Sequence, residues 1–137
     1  TFMTGPETAI EFFHGYTYSC HPTACAAGIA TLEIYEREGL FQRAREMAPY
    51  WENAVHSLKG LPGVIDVRNY GLVAAIEYEP NPGAPGARGL STFLKAYDEG
   101  ILVRTAGDVT AMSPPLIIEK AHVDELVDTL GKVIRSV

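Results

Sequence analysis

Two clusters of breaker residues divide this chain more firmly than any other feature. The first is Lys59-Gly60-Leu61-Pro62-Gly63, and the second runs Glu79-Pro80-Asn81-Pro82-Gly83-Ala84-Pro85-Gly86-Ala87. Proline removes a backbone donor and fixes φ, while glycine loses the most freedom on ordering, so neither cluster suits the inside of a helix or strand. The 137 residues must therefore be built from short elements, with the second cluster an exposed, extended loop.

Periodicity assigns those elements. Over residues 22–38, Ala24, Ala27, Gly28, Thr31, Leu32 and Tyr35 recur at steps of three and four, which predicts a helix whose small face admits a close neighbour. Gly39 ends it. Phe41, Ala44, Ala48, Trp51, Val55 and Leu58 predict a second helix, bent by Pro49 near residues 45–47. Val64, Ile65 and Val67, then residues 72–76, predict a strand hairpin around Asn69-Tyr70-Gly71. A third helix, near residues 89–99, is expected to bury Phe93, Leu94 and Tyr97. Short strands at 101–104 and 109–112 flank a turn at Ala106-Gly107-Asp108, where the Asp108 charge serves the turn. A last helix, near 119–136, is expected to bury Val123, Leu126, Val127, Leu130 and Ile134. Helices interleaved with hairpin-linked strands specify an α+β fold: three or four mainly antiparallel strands with helices packed on one face.

A hydrophobic content of 47% is enough to give such a chain a core. The net charge of −6, with basic residues scattered, argues against nucleic acid and anionic membrane as partners. No apolar run reaches the length of a membrane span and the N-terminus has no signal-peptide pattern, so the chain is expected in the cytoplasm. Cys20 and Cys25 have no companions at zinc-ligand spacing, so no metal site is expected and the thiols are expected reduced. Residues 1–10 carry no start signal and read as the interior of a longer protein.

The stretch richest in chemistry is residues 12–28. Gly15 allows a turn, Tyr16 to Ser19 supply four successive hydroxyls, and Pro22 suits the first position of a helix. Hydroxyls in front of a helix N-terminus suit a phosphate or carboxylate, and they equally serve as ordinary caps and packing groups. His14 and His21 are read as structural.

The run His14-Gly15-Tyr16-Thr17-Tyr18-Ser19, then His21-Pro22 and residues 24–28, resembles the cofactor-phosphate segment of class III pyridoxal-phosphate aminotransferases. It is most similar to their omega-amino acid:pyruvate (beta-alanine:pyruvate) branch. The resemblance implies pyridoxal 5'-phosphate as cofactor, bound across a dimer by Tyr16 and Thr17 to the phosphate held in the neighbouring subunit. It implies Arg104 as the fork for a substrate carboxylate, a role for which a planar guanidinium is better shaped than an ammonium. An arginine at a strand end is otherwise an ordinary surface charge. The family's Schiff-base lysine belongs upstream, so none of Lys59, Lys95, Lys120 and Lys132 is catalytic. Residues 1–21 would end the large cofactor-binding domain and 22–137 form the C-terminal small domain. Amine and keto acid substrates and a homodimer or tetramer are implied as partners. Cys20 departs from the family's usual Gly or Ala; if φ is positive there, Cys costs on the order of 1 kcal/mol. The rival readings are an aminomutase or other class III transaminase, and a stand-alone α+β ligand-binding or interaction module.

Overall fold

A computed structural model describes Gly5 and residues 15–137, so the expectations for Phe12, Phe13, His14 and most of the first ten residues lie outside the described residues. The chain divides into two compact units, residues 1–37 and 38–137. In the first, a turn closed by Ser19 N–H donating to the Tyr16 carbonyl (2.9 Å) leads into helix α1, Pro22–Arg37. The helix begins at the proline, where a missing donor costs nothing. No residue of α1 is buried, and Ile29 and Leu32 stand exposed on it.

The second unit contains α2 (Leu40–His56), β1 (Val64–Tyr70), β2 (Val73–Tyr78), α3 (Ala87–Asp98), β3 (Arg104–Ala106), β4 (Val109–Met112) and α4 (Lys120–Arg135). The strands form one sheet in the order β1-β2-β4-β3, with every neighbouring pair antiparallel. This is the α+β layer expected. Alternation along β2 explains its packing, because Ala74, Ile76 and Tyr78 point inward while Val73, Ala75 and Glu77 take the other face. Trp51 and Val55 of α2, Ala96 of α3, and Val123, Val127, Leu130 and Ile134 of α4 join the inward residues in one core. All three helices thus lie against one face of the sheet. Trp51 is fully buried, and its indole N–H has no partner among the described residues.

Three expectations are corrected. Phe41 is exposed, and Leu40 beside it enters the interior instead. The strand expected at 101–104 is shifted, because β3 starts at Arg104 and only Val103 of the preceding three residues is buried. On α3 the buried residues are Gly89, Thr92 and Ala96, Phe93 is half-buried, and Leu94 and Tyr97 are exposed. Small side chains let α3 approach the β3–β4 turn more closely than a leucine-lined face could. A β-carbon at Gly89 would lie 2.1 Å from the Gly107 carbonyl oxygen.

Asp108 holds that contact together. From the β3–β4 turn its carboxylate accepts the Gly86 N–H (2.5 Å) and the Gly89 N–H (3.1 Å), satisfying orphan donors at the start of α3. The backbone donors of Gly86 and then Gly89 hold its carboxyl below the usual range. A depressed carboxyl stabilises the fold above the unfolded-state value and loses that contribution as pH falls through the folded value. Asp108→Asn is therefore expected to lower the melting temperature of the full-length protein by about 1–2 °C at neutral pH. The gap to wild type should narrow below about pH 4, which differential scanning calorimetry across pH would check.

Candidate functional site

The turn of the first unit presents Tyr16, Thr17, Tyr18 and Ser19, all exposed. Cys20 ends it with φ 63°, the left-handed conformation that a residue with a β-carbon resists; it is the one non-glycine with positive φ among the described residues. That conformation turns the backbone from the hydroxyl run into α1, whose first amides face outward as in any helix start. The donors here are neutral hydroxyls and amides with no basic side chain among residues 15–20. Such a set can hold a phosphate dianion without neutralising it.

Arg104 lies in the other unit, at the first position of β3. It is exposed, and among the described residues no carboxylate pairs with its guanidinium. The β3–β4 ladder begins where Arg104 pairs with Ala111. Outside that pair, residues 100–103, 112–115, 117 and 118 border a groove of about 1090 Å³, with Phe93, His122, Glu125 and Leu126 also lining it. Arg104 stands on its margin, and most of the remaining lining is apolar. His122 also serves the start of α4, where its Nδ1 accepts the Glu119 N–H (3.3 Å) in a capping box.

Register sets what surrounds Arg104. Arg68 pairs with Ala75, Ala75 with Ala111, and Ala111 with Arg104, so these four residues form one row across the sheet face away from the helices. The adjoining row is Asp66, Glu77, Val109 and Ala106. Arg68 Nη1 donates to Asp66 (2.8 Å) and Glu77 (2.7 Å), and its donation holds the Asp66 carboxyl below the usual range. At the opposite end of the row, Arg104 has alanine beside it.

The lysines are placed otherwise. Lys95 Nζ donates to the Ser136 carbonyl (2.6 Å), Lys120 Nζ lies 4.9 Å from the centre of the Tyr50 ring, and Lys59 and Lys132 are exposed. None has the buried, desolvated setting that activates a lysine as a nucleophile. Among the described residues no three His, Cys, Asp or Glu side chains gather as metal ligands. Nor is any described helix long and apolar enough to cross a membrane. Local spacing assigns Asp108 to the turn, and the carboxylate also caps α3, a role that depends on a contact spanning about twenty residues of chain. Nothing in local spacing signals it.

A family model described as "Aminotransferase class-III" matches residues 2–134. The chain is 55% identical over 135 residues to an omega-aminotransferase of Caulobacter vibrioides, covering 98% of this chain and 31% of that protein. It is 42% identical to a beta-alanine–pyruvate aminotransferase of Pseudomonas aeruginosa, covering 100% of this chain and again 31% of the relative. Among solved structures it resembles a thermostable omega transaminase from Pseudomonas jessenii, with TM-score 0.82 and 30% identity over 91% of this chain and 29% of that one. The chain thus spans about a third of the length of the proteins it matches.

Proposed function

From the premise that this chain belongs to the class III aminotransferase family, we propose that it is the C-terminal portion of a pyridoxal-phosphate-dependent omega-amino acid:pyruvate aminotransferase. The whole enzyme moves an amino group from beta-alanine or a related amine to pyruvate. The single observation that carries this reading is the 41–42% identity, over nearly the whole chain, to relatives named as beta-alanine–pyruvate and omega-amino acid–pyruvate aminotransferases.

When bound, the cofactor supplies an electron sink that lowers the barrier to breaking the bond at the amine-bearing carbon. This chain's own residues bind and orient. Tyr16 and Thr17 offer a backbone amide and a hydroxyl to the phosphate of the cofactor held by a neighbouring subunit, which makes the working enzyme a homodimer or a higher assembly. Arg104 grips the carboxylate of the amino or keto acid through two parallel N–H donors. Residues 1–21 end the large cofactor-binding domain, and 22–137 form the C-terminal small domain. The apolar, uncovered α1 supports a larger assembly, since a helix with so little charge suits burial. The lysine that carries the cofactor lies outside this chain, and the enzyme works in the cytoplasm.

The full-length enzyme, loaded with cofactor and given beta-alanine and pyruvate, is expected to form alanine. Borohydride reduction followed by peptide mapping should place the label outside these 137 residues. Stoichiometric label on Lys59, Lys95, Lys120 or Lys132, or no alanine from any amine donor, would refute the proposal.

A further inference from the structure

The two arginines of the outer sheet row are built into opposite electrostatic settings. Arg68 sits on β1, with Asp66 two residues away on its own strand and Glu77 diagonal to it on β2, and both carboxylates clasp it. Arg104 sits at the far end of the same row, on β3. Its direct partner is Ala111 and its diagonal partner on β4 is Val109, and Ala75 continues the row beyond Ala111. Glu77, the nearer acid of that face, is two strands away from β3, ~10 Å at ordinary strand spacing. The carboxylates of this face are thus confined to its β1–β2 half.

We propose that Ala111, supported by Val109, is a specificity-determining position: by keeping the β4 neighbours of Arg104 uncharged, it leaves the guanidinium unneutralised for a substrate carboxylate. The inference rests on the assignment of Arg104 as the carboxylate anchor. It adds a requirement that this assignment does not contain, namely that the residue opposite must not be acidic. An acid at 111 would stand directly across an antiparallel pair, within about 5.5 Å between β-carbons, where it competes with substrate for the same two donors. Ala111 is a positioning residue here, acting through Arg104.

The test compares Ala111→Glu with Ala111→Gln in the full-length enzyme, since the two differ in charge and hardly in size. Ala111→Glu is expected to raise KM for beta-alanine about fivefold over Ala111→Gln, with the effect in KM rather than kcat. Binding of propionate, an unreactive short carboxylate, followed by calorimetry should weaken by the same factor. Should Ala111→Glu fail to fold, Val109→Glu against Val109→Gln places the acid on the diagonal and is expected to act in the same direction. Arg104→Ala is measured alongside. If it weakens propionate binding while the Glu and Gln variants stay within about 1.5-fold of one another, the role of Ala111 is overturned and that of Arg104 stands. If Arg104→Ala leaves binding unchanged, both are overturned.

Discussion

Gly89→Ala is expected to destabilise the full-length protein by about 3 kcal/mol, whereas the same change at Gly131 should fall within about 0.5 kcal/mol of neutral. Both glycines are buried in helices, and both gain the same single carbon. What differs is the neighbour. The new carbon at Gly89 meets the Gly107 carbonyl oxygen at 2.1 Å, Thr105 Oγ1 at 2.8 Å and the Asp108 α-carbon at 3.1 Å. Two of these are backbone atoms of a tight turn that the sheet fixes from both sides. To make room, α3 must lift, which stretches both Asp108 hydrogen bonds and opens the interior around Ala96. At Gly131 the new carbon meets an Arg135 guanidinium nitrogen at 3.3 Å and a Leu58 methyl at 3.4 Å, both at the ends of side chains that can yield. The gain in helix propensity from glycine to alanine, about 1 kcal/mol, then offsets the crowding. Urea denaturation of the two variants decides the matter, and equal losses at both positions would contradict the packing described for α3.

Arg104→Ala is expected to raise KM for beta-alanine and for pyruvate about a hundredfold in the full-length enzyme. The reason is the loss of two charge-assisted hydrogen bonds to a carboxylate, each contributing on the order of 1.5–3 kcal/mol before solvent competes. Arg104→Lys should recover only part of this, because an ammonium gives one charge without the parallel pair of donors. The melting temperature should hardly move, since the side chain is exposed and makes no ion pair among the described residues. An amine donor without a carboxylate should be far less affected than beta-alanine. Steady-state kinetics with paired charged and uncharged donors gives the answer, and equal losses for both would remove Arg104 from the carboxylate site.

The long helices were legible because their apolar residues repeat locally. Trp51, Val55 and Leu58, and Val123, Val127, Leu130 and Ile134, are buried as their spacing predicts. The β1–β2 hairpin was equally readable, since β-branched runs flanked Gly71. Helix α3 was misjudged for a physical reason. It carries a bulky stripe at Leu90, Leu94 and Tyr97 and a slender one at Gly89, Thr92 and Ala96, and the turn holding Asp108 selects the slender side. Hydrophobicity alone favours the other. The family resemblance offers Tyr16, Thr17 and Arg104 as proposed binding residues, whereas the row from Arg68 to Arg104 could not be foreseen. It depends on three successive strand pairings, and a slip of one residue in any of them would send the side chains to the opposite face.

Trp51 has a practical consequence. It is the one tryptophan in this chain, and the core of residues 38–137 encloses it completely. Its emission maximum will therefore shift to longer wavelength only when that core admits water. Within these residues a single optical signal follows the opening of the unit that carries Arg104, and the exposed turn that carries Thr17 can rearrange without changing its colour.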